Sequence, residues 1–187
     1  LSARWWLIDP LDGTRNFAVG IPFFCVSVAA ARDAQAVVGA VYDPVHDEMF
    51  IAERGSGAFL NGGPIEVSRE ETLQDSIVSI SWVRRRVDGQ TFIRYVDLVS
   101  RHTSYFRRLG SAALVMCYVA CGRIDAYMQG GLNPWDVSGG AVIVEEAGGA
   151  VTDVGGAELD LRQKTIGVVT ANPVLHRLIL ERVIGSS

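Results

Sequence analysis

Trp5-Trp6-Leu7-Ile8-Asp9-Pro10-Leu11-Asp12-Gly13-Thr14-Arg15-Asn16-Phe17 carries the deciding pattern of this chain. The apolar run at its start reads as a buried strand, so Asp9 and Asp12 emerge at the strand's C-terminal end. Two carboxylates aimed at one point repel each other, and a divalent cation relieves the repulsion. Hard ions such as Mg²⁺ take oxygen ligands, commonly one or two carboxylates together with a substrate phosphate. Gly13 and Thr14 can offer backbone N–H groups to an anion if they open a helix. One short segment therefore has the parts for a metal-assisted phosphoester hydrolysis site. Asp-Pro and Asp-Gly are also common turn dipeptides, and a plain turn is the competing reading of the segment in isolation.

A second stretch supplies a third acid. Asn133-Pro134-Trp135-Asp136 precedes an apolar, small-residue run that ends at Gly148-Gly149. The pattern predicts a helix over residues 134–147, with Asn133 as cap and Pro134 at the first helical position. Asp136 then falls in the first turn, where a carboxylate gains about 0.3–1 kcal/mol from the helix N-terminus.

Between these stretches the chain alternates strand and helix signals. Residues 24–32 and 36–42 are β-rich runs joined by Asp33-Ala34-Gln35 and predict a hairpin. Residues 48–53 predict a further strand, followed by a Gly-rich turn through Gly57. Strands are expected over 75–83, 124–128 and 166–171, and helices over 88–101, 111–121 and 173–184. Ser111 is a candidate N-cap for the strongly apolar helix over 111–121. No internal repeat or linker interrupts the pattern, which suits layered α and β elements in one domain.

Composition narrows the function classes. The chain has 187 residues, 49% of them hydrophobic and 20% charged, with a net charge of −4. The single basic block, Arg84-Arg85-Arg86, reads as a solvated loop or strand end rather than a nucleic-acid patch. No apolar run approaches the roughly 18 residues that span a bilayer. The mean hydropathy of +0.22 points to apolar surface that is covered by something. Cys25, Cys117 and Cys121 are too few and too unevenly placed for a disulfide framework, and Cys117 and Cys121 read as core. The three histidines are scattered and suggest neither a zinc site nor a His-based triad.

Taken together, these residues resemble the inositol monophosphatase family. Its first signature, Asp-Pro-Ile/Leu-Asp-Gly-Thr-x-Asn-Phe, is matched at every defined position by residues 9–17. Its second is matched by Pro134-Trp135-Asp136-Val137-Ser138-Gly139-Gly140-Ala141, followed by Glu146-Ala147-Gly148-Gly149. Gly20-Ile21-Pro22, residues 55–62 and Arg108-Leu109-Gly110-Ser111-Ala112-Ala113 fit in order between them. The resemblance implies an α+β fold, a layered α-β-α-β-α sandwich of the inositol monophosphatase and fructose-1,6-bisphosphatase type, over residues 1–187. Family members carry a further N-terminal region with an Asp that partners the signature Thr and a Glu-Glu pair that ligates metal. This chain starts at Leu1-Ser2-Ala3-Arg4 and is read as a truncated, processed or partial copy, so the first helical layer is expected to be largely absent and the chain, if it is the whole molecule, to be a poor catalyst.

The resemblance also implies the site. Asp9, Asp12, Asp136 and the Leu11 carbonyl would hold Mg²⁺, with Mn²⁺ an acceptable substitute; Gly13 and Thr14 would bind phosphate. Thr14 would further orient the attacking water, which makes it catalytic alongside the three acids. Ser111 and Ala112 would lie near the substrate alcohol. Gln129 stands where many members have Glu, which keeps shape but loses charge and predicts broader substrate use. The expected substrate is a small polyol or sugar phosphate, inositol 1-phosphate first, then fructose 1,6-bisphosphate or histidinol phosphate. Asn16-Phe17 argues against the nucleotide-phosphatase branch. A cytoplasmic homodimer without nucleic-acid or membrane partners is expected. The rival is a truncated, non-catalytic homologue that serves as a binding partner.

Overall fold

The computed structural model describes residues 4–82 and 89–185. Its first strand, β1 (Arg4–Asp12), runs through both acids rather than stopping before them. β1 pairs antiparallel with β2 (Cys25–Arg32), which forms the expected hairpin with β3 (Gln35–Asp43) across Asp33-Ala34. β4 (Glu48–Glu53), β5 (Ala58–Leu60) and β6 (Gly63–Pro64) complete a six-stranded antiparallel sheet in sequence order. The last two strands follow the expected Gly-rich turn, where no element was expected; they are too short to show an alternating pattern.

β1 is not a buried strand. Leu7 faces the core, but Trp6 is 69% and Ile8 55% exposed. The register sets them opposite Ala30 and Val28, and their face continues through Val26, Val38, Met49 and Ile51, all partly exposed. An unbroken apolar run hid the alternation, because both faces of this strand carry apolar side chains.

The second sheet is mixed and has the order β10-β11-β9-β7-β8. β7 (Val78–Trp82) runs parallel to both β8 (Phe106–Arg107) and β9 (Ala126–Leu132). β9, β11 (Ile166–Ala171) and β10 (Ala150–Thr152) are antiparallel in turn. β9 starts two residues later than expected, because the N–H groups of Arg123 and Ile124 bond to Tyr118 O and close the preceding helix. α2 (Gly89–Ser100) and α5 (Pro173–Ile179), the latter continued by a π-helical turn over Leu180–Ile184, cover one face of this sheet. The basic block at 84–86 lies outside the described residues.

Between the sheets lie α3 (Ala112–Ala120) and α4 (Pro134–Glu146). Both are apolar on all sides, as a helix sandwiched between two sheets must be. Only Tyr118 of α3 is other than buried, and α4 is buried from Val137 through Val144. Small residues set the spacing. A Cβ on Gly39 of β3 would meet Gly139 O at 2.4 Å, and one on Gly140 would meet Met116 Cβ of α3 at 2.6 Å. The layers run sheet, helices, sheet, helices, an α+β arrangement in which no described helix covers the outer face of the six-stranded sheet.

Gly39→Ala should therefore destabilise the fold by about 2–3 kcal/mol, the upper part of the usual overpacking range, because the obstacle is backbone and cannot rotate away. Urea unfolding at constant m-value measures it; a loss below about 0.5 kcal/mol would contradict the close approach.

Candidate active site

The acids are aimed by a β-bulge. On β1, Asp9 pairs with Ser27 and Asp12 with Cys25, so three steps on one strand match two on the other. In a regular strand, residues three apart point to opposite faces. The extra residue reverses the alternation and puts Leu7, Asp9 and Asp12 on the core side, opposite Ala29, Ser27 and Cys25. Pro10 sits at the bulge, where its missing N–H leaves no gap in the ladder. Asp9 Oδ1 accepts from the Leu11 N–H at 3.1 Å, which steadies the irregular backbone.

Asp12 is held by donors from α3 and β2. Its Oδ2 accepts from the Ser111 hydroxyl at 2.7 Å and the Ala113 N–H at 2.8 Å, and the Cys25 thiol lies at 3.8 Å. Burial pushes its carboxyl up to about 7; the two hydrogen bonds oppose the rise, and the charges of Asp9 and Asp136 add to it. The Cys25 thiol is driven far up by burial and by the Asp12 charge. Ser111 stands at the N-cap of α3, as expected, with extended backbone, but it makes no side-chain cap bond because its hydroxyl serves Asp12. It is buried, as is Ala112, and its hydroxyl contacts Asp12.

Asp136 approaches from α4. Its Oδ2 accepts from the Asn133 N–H at 2.7 Å and the Asn133 side-chain amide at 3.1 Å. The helix start is as the sequence predicts, with Pro134 at its first position. The charges of Asp12 and Asp136 both reach Tyr127, whose phenol burial holds well above its ordinary value. The Tyr127 hydroxyl donates to Gln129 Oε1 at 2.5 Å.

Gly13 begins α1 (Thr14–Ala18) with φ of 86°, a left-handed conformation that favours glycine, and a Cβ there would meet Phe23 O at 2.9 Å. Thr14 is thus the first helical residue rather than the cap, and its hydroxyl donates to Leu11 O at 2.8 Å. Asn16 ties the loop down, its amide donating to Phe23 O and Leu109 O, each at 2.7 Å. That second bond anchors the first signature to the segment that carries Ser111.

Every donor atom offered by Asp9, Asp12, Asp136 and the Leu11 carbonyl is a hard oxygen, and the buried charge of Asp12 calls for a cation nearby. These residues fit a Mg²⁺-type ion. They do not form a closed cage: among the described residues, no group of three or more His, Cys, Asp or Glu side chains gathers around one point as metal ligands. Mg²⁺ does not require one, since it keeps waters and takes substrate oxygens. Two clefts of about 760 and 750 Å³ lie elsewhere and contain none of the three acids. Sequence reasoning missed Cys25, Asn133's bonds to Asp136, and Tyr127. Only the Asn-x-x-Asp spacing at 133–136 carried a readable signal for them.

The inositol monophosphatase family model matches residues 2–186. The chain belongs to this family. It is 40% identical over 183 residues to the inositol-1-monophosphatase of Mesorhizobium japonicum, covering 97% of this chain and 68% of that one. It is 38% identical over 179 residues to the Nus factor SuhB of Vibrio cholerae, covering 95% of this chain and 66% of that one. The solved inositol monophosphatase from Anabaena superposes with a TM-score of 0.90 at 36% identity, over 97% of this chain and 72% of that one. The chain thus spans about two thirds of the length of these relatives. The family is one of metal-dependent phosphomonoesterases that act on phosphate esters of polyols. Among the described residues no helix is long and apolar enough to cross a membrane.

The Asp12 carboxyl yields a pH prediction. Its folded value, about 7, lies above the unfolded value, so the folded chain holds the extra proton between about pH 4 and 7. Stability without metal should fall through that window as pH rises, and Asp12→Asn should be the more stable protein at pH 8, by up to a few kcal/mol, at about 1.4 kcal/mol per pKa unit. Thermal melts at pH 5 and pH 8, with and without Mg²⁺, test this; saturating Mg²⁺ should narrow the gap, and equal melts of both proteins at pH 8 would refute it.

Proposed function

We propose that this chain carries the catalytic acids of a Mg²⁺-dependent phosphomonoesterase acting on a small polyol phosphate, with inositol 1-phosphate the first candidate. The observation that carries this reading is the bulge in β1, which turns Asp9 and Asp12 to one side of the strand, within electrostatic reach of Asp136. Asp9, Asp12 and Asp136, with the Leu11 carbonyl, would hold the ion. When bound, Mg²⁺ supplies neutralising charge for the phosphate and leaving alkoxide, and lowers the pKa of water.

The chain's own residues do the rest. Thr14 has one hydroxyl proton, donated to Leu11 O, so its oxygen faces outward as an acceptor and can orient the attacking water. The N–H groups of Gly13 and Thr14 would bind the phosphate. Gln129 has its carbonyl occupied by Tyr127, which leaves the amide N–H groups to donate to substrate oxygens. That polarity suits acceptor-rich substrates, so fructose 1,6-bisphosphate and histidinol phosphate remain in the range. Residues 1–187 are read as one domain of a cytoplasmic homodimer, and the three free cysteines suit a reducing compartment.

A second reading, a non-catalytic binding partner, draws on the printed name of the Vibrio relative, a Nus factor. Phosphate release separates the two. The enzyme reading expects Mg²⁺-dependent release from inositol 1-phosphate, lowered at least about 10²-fold in kcat/KM by Asp9→Asn or Asp136→Asn. No release from inositol 1-phosphate, fructose 1,6-bisphosphate or histidinol phosphate would favour the partner role. Gln129→Glu should shift the kcat/KM ratio toward inositol 1-phosphate over fructose 1,6-bisphosphate by about tenfold, or 1.4 kcal/mol; an unchanged ratio would remove Gln129 from substrate selection.

A further inference from the structure

Among the described residues, three donors reach one and the same oxygen of the Asp12 carboxylate. Ser111 Oγ lies 2.7 Å and the Ala113 nitrogen 2.8 Å from Oδ2, and the Cys25 sulfur is 3.8 Å from it. Cys25 Sγ also lies 3.5 Å from Ser111 Oγ. Either partner of that last contact is free to donate in principle, but a hydroxyl has a single proton. The 2.7 Å contact to a carboxylate is the stronger claim on it, so the Ser111 proton goes to Asp12 and the thiol proton faces both Ser111 Oγ and Asp12 Oδ2. Ser111 is thus the close donor to Asp12 Oδ2, and the Cys25 sulfur lies against both atoms, with Cys25 and Ser111 both buried.

The position of Ser111 shows what this arrangement displaces. It stands at the N-cap of α3, where a Ser side chain typically contributes about 1 kcal/mol by bonding the first-turn N–H groups. It makes no such bond. Its hydroxyl instead crosses from α3 to the β1 bulge, joining residues 99 positions apart. The Ala113 N–H, one of the donors a cap would ordinarily satisfy, is taken by Asp12 as well. The carboxylate thus does the capping, and its rotation is fixed by two donors on one oxygen.

We propose that Ser111, backed by Cys25, is the positioning residue of the cation site: it pins Asp12 Oδ2 inward so that Oδ1 is presented to the metal. The proposal rests on the metal-phosphatase reading above. It assigns Ser111 no contact with substrate and no proton transfer. Outer-shell partners of this kind commonly change metal affinity or activity by about 10–100-fold when removed.

The test reads cation affinity directly. Tb³⁺, a hard oxygen-seeking ion, is titrated into the 187-residue chain, with luminescence sensitised through Trp135 beside Asp136, and Mg²⁺ affinity is taken from its displacement. Ser111→Ala should weaken Mg²⁺ about tenfold or more and lower kcat while the substrate KM moves less than threefold. Ser111→Thr, which keeps the hydroxyl, should recover at least half of the lost affinity on a logarithmic scale. Cys25→Ala should show a smaller loss of the same sign, and Cys25→Ser, which keeps a donor, should stay within about threefold of wild type. Circular dichroism monitors folding; if Ser111→Ala does not fold, Ser111→Cys, with its weaker donor, takes its place with the same expected direction. A folded Ser111→Ala protein with unchanged Mg²⁺ affinity overturns this proposal alone, including when its melting temperature has dropped, since that is what a merely structural serine would do. A wild-type chain that binds neither Tb³⁺ nor Mg²⁺ overturns both this proposal and the phosphatase reading.

Discussion

A carboxylate held out of water sets the terms for much of this structure. Asp12 is half-buried beside two other acids, and desolvation is the dominant influence on it, stronger than either of its hydrogen bonds. Charges in such a place persist only when donors and cations surround them. The surroundings are drawn from every part of the fold: β1 supplies the acid, α3 its hydrogen bonds, β2 the thiol behind it, and α4 the neighbouring acid. The site is therefore a product of packing two helices between two sheets, and it cannot be assembled from any one segment.

Two local irregularities make that convergence possible. The bulge at Pro10-Leu11 costs β1 one regular pairing step but turns both of its acids to the same side. Gly139 and Gly140 on α4, with Gly39 facing them on β3, remove side chains where the helix meets the six-stranded sheet and α3, so that it comes close enough for Asp136 to influence Asp12. A methyl group at Gly39 would push on backbone. The small-residue run after Asp136 is thus a spacing device, linked to the chemistry by distance rather than by contact with substrate. Asn16 plays a comparable part, with one amide bridging the first signature to the segment before α3.

Much of this was legible in the sequence. Periodicity located β4 and β11 without error and placed β2, β3, α2, α3 and α4 to within a residue or so at each end. The Asn-Pro start of α4 was readable because capping is local chemistry, settled by a few neighbouring residues. The family followed from two long motifs in the right order, and the family match over residues 2–186 agrees. The short strands β5, β6, β8 and β10 were not legible, since two or three residues carry no period. The burial of β1 was misread because a strand with one wet apolar face looks like one buried on both.

What the sequence determined by itself was residue identity and local geometry: which acids, which caps, where the chain turns, and which family. Those depend on interactions within a few positions, and their signals survive in a linear string. Tertiary structure alone decided the work of Ser111 and Cys25. By position Ser111 is a helix cap, and by type Cys25 is a core residue; both become partners of Asp12 only because the β1 bulge meets the start of α3. A hydrogen bond spanning 99 residues has no periodicity and no local propensity, so it leaves no trace in sequence until packing brings its two ends together.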